Sequence, residues 1–335
     1  DVEPHVHETP GIYYYTAVYE KKEEKTNLDK ILRFIAEAAG SEIFYPTNSG
    51  IIKEENYPDV QYSIDGGESW HKLAPGQKIT LKNVGDIVYL KGYNPNGFDQ
   101  TMSNGGPRLK FEINGLVSAN GSVMSLIDGK GETTVIPCNN CFSWMFVDCD
   151  LTNAPILPAT SLTEQCYLEM FRGCQYLKEA PGLPATTLAY NCYGQMFADC
   201  SSLTIAPELP ATELKELCYD EMFMGCENLT QAPKLHATEL AESCYAGMFI
   251  RCTSLKEAPK LPAIKLTDNC YTYMFFQCEN LTKCPELPAT QLVNGCYRNM
   301  FSECSKLDTI KVGVMSLDND FAATENWVNG IDGPG

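Results

Sequence analysis

From Cys141 onward, apolar residues recur on one fixed schedule: Cys-Tyr-x-x-Met-Phe-x-x-Cys-x-x-Leu-x-x-Ala-Pro-x-Leu-Pro-Ala-Thr-x-Leu. The Met-Phe pair falls at Met145-Phe146, Met170-Phe171, Met196-Phe197, Met222-Phe223, Met248-Phe249, Met274-Phe275 and Met300-Phe301. The step is 26 residues, except for 25 at the first, where a single residue separates Cys149 from Leu151. A fixed period of this size predicts a solenoid, in which each unit buries its apolar face only against its neighbours. Within one unit, Cys166, Met170, Phe171 and Cys174 fall at i, i+4, i+5 and i+8, which predicts one face of a short helix. Gly173 near its end suits a left-handed cap. Leu177, Ala180 and Leu183 follow, broken by Pro181 and Pro184. Proline removes a ladder donor, so this stretch predicts a very short strand running into a turn. Seven such coils at about 4.8 Å per strand would make a rod on the order of 30 Å long.

The first 137 residues have no cysteine and no repeat. Residues 1–12 read as a polar, flexible tail. Thr26-Asn27-Leu28-Asp29 resembles a capping box, and Leu28, Ile31, Leu32, Ile35 and Ala39 predict a one-sided helix ending at Gly40. Strand signals then run over Val60 to Ile64, Ser69 to Leu73, Gln77 to Leu81, Ile87 to Lys91, Leu109 to Ile113 and Val123 to Ile127. Turns at Asp65-Gly66-Gly67, Asn83 to Asp86 and Asn114-Gly115 separate them. The expected fold class is α+β. A helix with a small antiparallel β-sandwich (13–133) precedes a solenoid of about seven coils with a C-terminal cap (134–335).

The spacing Met-Phe-x-x-Cys-x-x-Leu followed by Ala-Pro-x-Leu-Pro-Ala-Thr resembles the BspA-type leucine-rich repeats of surface and secreted proteins from gut-dwelling Gram-negative bacteria. The resemblance covers roughly residues 138–330. Tyr62-Ser-Ile-Asp-Gly-Gly, Phe111-Glu-Ile-Asn-Gly and Asn120-Gly-Ser-Val-Met-Ser-Leu-Ile resemble the β-domain that precedes such repeats, and Ala323 to Gly330 resembles the segment that closes them. The resemblance implies an adhesin or host-interaction protein without catalytic residues or cofactor, and an array that continues beyond Gly335. It also implies export to the cell surface or medium, with any lipid anchor carried on a leader removed ahead of Asp1.

Charge narrows the partners. The formal net charge is −18, which disfavours nucleic acid and anionic membrane because both need basic patches. No apolar run approaches the roughly 18 residues of a membrane span. The acidity is heavier on the repeats, but Lys and Glu alternate within each unit, so it reads as solubility of a long surface rather than selection of a basic partner.

All 16 cysteines lie between Cys138 and Cys304. Cys138-x-x-Cys141 has the form of a redox or zinc pair, yet Cys141 is simply the first member of a ladder, and Cys138 aligns with Thr163, Ala189 and Lys215. Zinc wants four clustered ligands. Stacked strands hold equivalent Cβ atoms nearer 5 Å than the roughly 3.8 Å of a disulfide. Cys284 stands where Ala154, Ala180, Ala206, Ala232 and Ala258 stand, so the ladders are expected to be small apolar filler, buried as free thiols.

Tyr167, Tyr193, Tyr219, Tyr245, Tyr271 and Tyr297 also recur at the period. An exposed row could stack on sugars; packing between coils with the hydroxyl reaching water or backbone is the expected role. The freely varying positions are better candidates for contact: Lys178 and Glu179, Thr204 and Ile205, Thr230 and Gln231, Lys256 and Glu257, Thr282 and Lys283. They are expected to form an outward strip that binds a protein or, alternatively, a glycan. Ser63-x-Asp65-x-Gly67-x-x-Trp70 matches the Asp box of glycan-processing propellers and alone raises a hydrolase. That box is a folding motif remote from the sugar, and Arg108 is the only Arg of the predicted sheet region, where an arginine cluster would be needed. His5 and His7 fall in the tail, and His236 replaces the proline of one Leu-Pro-Ala turn. No phosphate loop, His-Glu-x-x-His or Gly-x-Ser-x-Gly is present.

Overall fold

The computed structural model describes residues 6–9, 12–15, 27–45, 57–98, 109–314 and 321–331. The fold is β-rich. Where the sequence reads as tail, β1 (Val6–Thr9) and β2 (Ile12–Tyr15) pair as an antiparallel hairpin.

The helix expected over Leu28 to Ala39 does not form. Leu32–Ala36 is β3, paired antiparallel on both sides, and Ser41–Phe44 is β4 in a second sheet. Leu32, Phe34 and Ala36 are buried while Arg33 and Ile35 are half-buried, a period of two. Aromatic and β-branched residues suit that pleat, and pairing on both edges overrides the local helical reading. Asn27 still caps, but it accepts the Asp29 N–H within a turn. The remaining strands are β5 (Gln61–Ser63), β6 (His71–Lys72), β7 (Lys78–Leu81), β8 (Ile87–Lys91), β9 (Glu112–Asn114), β10 (Val117–Asn120) and β11 (Leu151–Asn153). One sheet runs β11-β10-β3-β8-β5-β6 and the other β7-β4-β9. The strand expected at Val123 to Ile127 is also corrected. Ser125–Asp128 is a single helical turn, α1, closed by left-handed Gly129. Its buried Ser125 hydroxyl donates to the Leu90 carbonyl and accepts the Leu32 N–H, tying the turn to two strands.

The repeats stack unit on unit, and their expected helices are not α-helical. Gln165 (φ 53°), Glu169 (φ 52°) and Gly173 (φ 73°) are left-handed, and every later unit repeats this at four-residue spacing. The backbone is a ribbon of consecutive turns. Every second N–H stays inside the unit: Cys166, Leu168, Met170, Arg172 and Cys174 donate to the carbonyl three residues back. The alternate donors Gln165, Tyr167, Glu169, Phe171 and Gly173 reach the carbonyls of Tyr190, Cys192, Gly194, Met196 and Ala198 in the next unit. Left-handed backbone costs a non-glycine residue roughly 1–2 kcal/mol. A continuous set of bonds between units offsets it. At Gly173 a Cβ would lie 2.0 Å from Asp148 Oδ1 of the preceding unit, so a side chain there would require Asp148 to turn aside; later units hold Asp199, Arg251, Gln277 and Glu303 at this position.

Stacking turns sequence ladders into columns. Phe171, Phe197, Phe223, Phe249, Phe275 and Phe301 lie ring on ring with centroids 5.7 to 5.8 Å apart in the first half and 5.5 to 5.6 Å in the second. The second-ladder thiols have a specific task. Cys200 Sγ donates to the Phe171 carbonyl at 3.1 Å, Cys226 to Phe197 at 3.1 Å and Cys252 to Phe223 at 3.2 Å, each reaching the preceding unit. The column does not stop at the first repeat. Phe111 of the sheets stacks on Phe146 at 6.0 Å, and its carbonyl accepts the Cys149 thiol at 3.2 Å. One core therefore runs through both parts of the chain. At the other end Trp327 stacks on Tyr297 at 6.1 Å, and its carbonyl accepts the Phe301 N–H.

The tyrosine column is corrected in one respect. Its rings do not reach water: Tyr219 is 1% exposed, and the Tyr167 and Tyr219 hydroxyls are buried without a hydrogen-bond partner in the protein. Phe223→Ala should cost about 3–5 kcal/mol, and Tyr219→Ala a similar amount rather than less. Tyr219→Phe should leave stability unchanged or raise it by up to about 1 kcal/mol, since an unpaired hydroxyl leaves the core. Denaturant titration of the three variants checks this. None of the 16 cysteines is bonded to another, and only Cys138 and Cys284 are partly exposed. In the fully reduced protein, a thiol reagent should label those two in the native state and the others only after denaturation.

Candidate functional site

All ten strip residues are exposed, from Lys178 and Glu179 to Thr282 and Lys283. Parallel bridges join Glu179 to Ile205, Ile205 to Gln231 and Glu257 to Lys283, so the column is real in space. Backbone bonds support it: the Thr204 N–H donates to the Lys178 carbonyl, Thr230 to Thr204 and Thr282 to Lys256. Some side chains are already engaged. The Thr230 and Thr282 hydroxyls donate to the Thr204 and Lys256 carbonyls, each at 3.2 Å, and Lys283 pairs with Glu257.

Among the described residues no bridge joins Gln231 to Glu257. A cleft of about 770 Å³ lies at that interruption, lined by Thr230, Gln231, Lys256 and Glu257 of the strip and by Pro233, Lys234, His236, Pro259 and Lys260 of the proline corner. Sequence reasoning found the first wall and missed the second, because the proline corner reads only as turn. The signal was there: Lys234 and Lys260 stand where Ile156, Gly182 and Glu208 stand, so this corner position varies as freely as the strip. His236, read as a mere proline replacement, also lines the cleft. A second cleft of about 580 Å³ sits on the same corner of the early units, walled by Pro155, Pro158, Pro181, Pro184, Pro207 and Pro210. Gly182, between Ile156 and Glu208, leaves its floor open.

The stack also brings some acidic residues into one column. Glu164, Glu216, Glu242 and Asp268 share one exposed column, and Glu213 and Glu239 bridge each other nearby. Lysines and glutamates share the strip and the corner, and Lys265 follows Glu239 in the bridged column.

The Asp box is a hairpin turn. Asp65 accepts the Ser69 N–H at 3.0 Å, the Ser63 hydroxyl at 2.7 Å and the Ser69 hydroxyl, and these bonds, Ser69's first, hold its carboxyl well below the usual range. The Trp70 indole N–H donates to the Gly67 carbonyl at 3.1 Å, and the Lys91 ammonium lies 3.9 Å above its ring. Every polar group of the motif is spent on the turn. Arg108 and His5 lie outside the described residues. Among the described residues, no group of three or more His, Cys, Asp or Glu side chains could hold a metal ion, and no helix is long and apolar enough to cross a membrane.

One carboxyl departs from its usual behaviour. Burial, followed by the neighbouring charge of Glu221, pushes Asp220 up to about 7. Asp220 occupies the position of Gly194 and Ala246 in the flanking units, so a charged group sits where the stack holds small neutral ones. Its native-state proton is held at pH values where the unfolded chain has released it. Stability from this group is therefore intact below about 4, falls as pH rises to about 7 and stays low above it. Asp220→Asn should match the parent near pH 4 and exceed it by roughly 1–3 kcal/mol at pH 8. Thermal unfolding at the two pH values checks this.

No protein-family model, no curated protein and no solved structure matches this chain.

Proposed function

We propose that this chain is a non-enzymatic binding protein of the bacterial cell surface or medium, in which a BspA-type leucine-rich-repeat solenoid presents its strip and proline corner to a protein partner. One contrast carries this reading. The buried columns keep one residue type through the units, whereas exposed positions in the same register run Lys, Thr, Thr, Lys, Thr and Glu, Ile, Gln, Glu, Lys. A surface that varies on a fixed frame can be tuned to a ligand without repacking the core.

The cleft refines the partner. Lys234, Lys256, Lys260 and His236 gather beside Pro233 and Pro259, with Glu257 the single acidic side chain of the lining, in a chain of net charge −18. Such a surface suits an extended acidic segment whose apolar side chains rest on the prolines. A glycan partner is less well supported, because the tyrosine column that would stack on sugar rings is buried. An interface of ordinary size needs about 800 Å² from each partner, which only several units together supply.

The purified chain is to be screened against host matrix proteins and glycans. Changing Thr204, Ile205, Thr230, Gln231, Lys256 and Glu257 together should abolish binding of the ligand found, while Tm moves by no more than a few degrees. Reversing Lys234, Lys256 and Lys260 to Glu should weaken an acidic partner at least about tenfold and flatten its salt dependence. Normal binding by the six-residue variant would transfer the site to the N-terminal sheets.

A further inference from the structure

The first repeat differs from the others at one position, and that difference places two thiols in one turn. Cys138 precedes the ladder residue Cys141 by three. The residues at that place in later units are Thr163, Ala189, Lys215, Ala241, Thr267 and Val293. Side chains at these two positions meet across the turn. The Thr163 hydroxyl lies beside Cys166 while donating to the Cys138 carbonyl at 2.7 Å, and the Thr267 hydroxyl lies beside Cys270 while donating to the Ala241 carbonyl at 2.8 Å. In the first unit this position brings sulfur beside sulfur, the Cys138 and Cys141 side chains interacting across the turn. Both also crowd one point of the neighbouring loop, since a Cβ at Gly97 would lie 2.6 Å from Cys138 Sγ and 3.0 Å from Cys141 Sγ. Cys138 is partly exposed and Cys141 buried.

The other ladder cysteines are placed differently. Equivalent residues are one repeat apart, on hydrogen-bonded neighbouring ribbons that hold them at about the 4.8 Å spacing of paired strands. That is beyond the roughly 3.8 Å between the Cβ atoms of a disulfide. The second-ladder thiols are committed to phenylalanine carbonyls. We propose that Cys138 and Cys141 are a redox-sensitive pair that closes to a disulfide where the N-terminal sheets meet the first repeat, while the ladders stay reduced.

The step balances with a small-molecule disulfide as oxidant. The Cys138 thiolate attacks one sulfur of that disulfide, forming a mixed disulfide and releasing one thiol. The Cys141 thiolate then attacks Cys138 Sγ and displaces the second thiol. Two electrons leave the cysteine pair, and its two protons end on the two released thiols. Partial exposure makes Cys138 the entry point. Burial raises the Cys141 thiol, so it acts second, against a sulfur already in contact. The closed ring would fix Pro137 to Cys141 against Gly97 and Phe98, whose carbonyl faces Cys138 Sγ at 3.5 Å. This inference does not depend on the binding reading.

The test uses the full chain, first reduced and then equilibrated with oxidised glutathione. It is quenched in acid, alkylated under denaturing conditions, digested and weighed. The peptide containing Cys138 and Cys141 should be unalkylated and two hydrogens lighter in the large majority of molecules, and peptides containing Cys218, Cys226 or Cys252 should be alkylated. Cys138→Thr takes the residue found at the same place in the next unit, so it should fold. In that variant Cys141 should be alkylated. Alkylation of both Cys138 and Cys141 in the parent would overturn the proposal. So would a glutathione adduct on Cys138 without an internal bond, or a bond from Cys138 to another cysteine.

Discussion

The structure depends on a division of labour along the turn ribbon: alternate backbone N–H groups bond within a repeat and onto the next one. A unit cut out of the stack would keep only half of these bonds and would expose its Met, Phe and Cys face. The bonds between units also fix the register, because each residue meets its counterpart in the next unit. That is why identical residues become columns, and why near-parallel phenylalanine rings such as Phe223 and Phe249 can stack along the axis. The cysteine ladder follows from the same register. A phenylalanine carbonyl that already accepts an intra-unit N–H has room for one more weak donor, and the thiol of the next unit supplies it.

Ends are the problem such a stack must solve, since the first and last ribbons have partners on one side only. The N-terminal sheets solve it by imitation. Phe111 supplies a ring and a carbonyl at the place a preceding repeat would, and β10 offers its edge to β11. At the far end, Tyr297, Asn299, Phe301 and Glu303 donate to carbonyls of 323–329. The sheets are thus part of the same core as the repeats.

With the inward residues fixed in this way, variation is confined to the exposed columns. The corner and the strip are the two such columns that flank a cleft. The cleft lies where no bridge joins Gln231 to Glu257, and there the corner carries Lys234 and Lys260. Charges distant along the chain become neighbours because residues that meet in space are 26 apart in sequence, as at Glu257 and Lys283.

The sequence by itself determined the period, the identity of the buried columns and the exposure of Lys178 to Lys283, because repetition reports burial directly. It also showed that the cysteine ladders fit small filler better than bridges. Tertiary structure decided the backbone that carries them. Cys166, Met170 and Cys174 recur every four residues, and over so short a run this cannot be told from the 3.6 of a helix; bonds to the next unit select the turn ribbon. Leu28 to Ala39 failed for a related reason. Its apolar residues satisfy a helical face locally, but pairing of β3 with β8 and β10 lies far away in sequence and overrides it. The tyrosine hydroxyls, the second wall of the cleft and the contact between Cys138 and Cys141 depend on which atoms meet across units, and that is settled only when the chain is stacked.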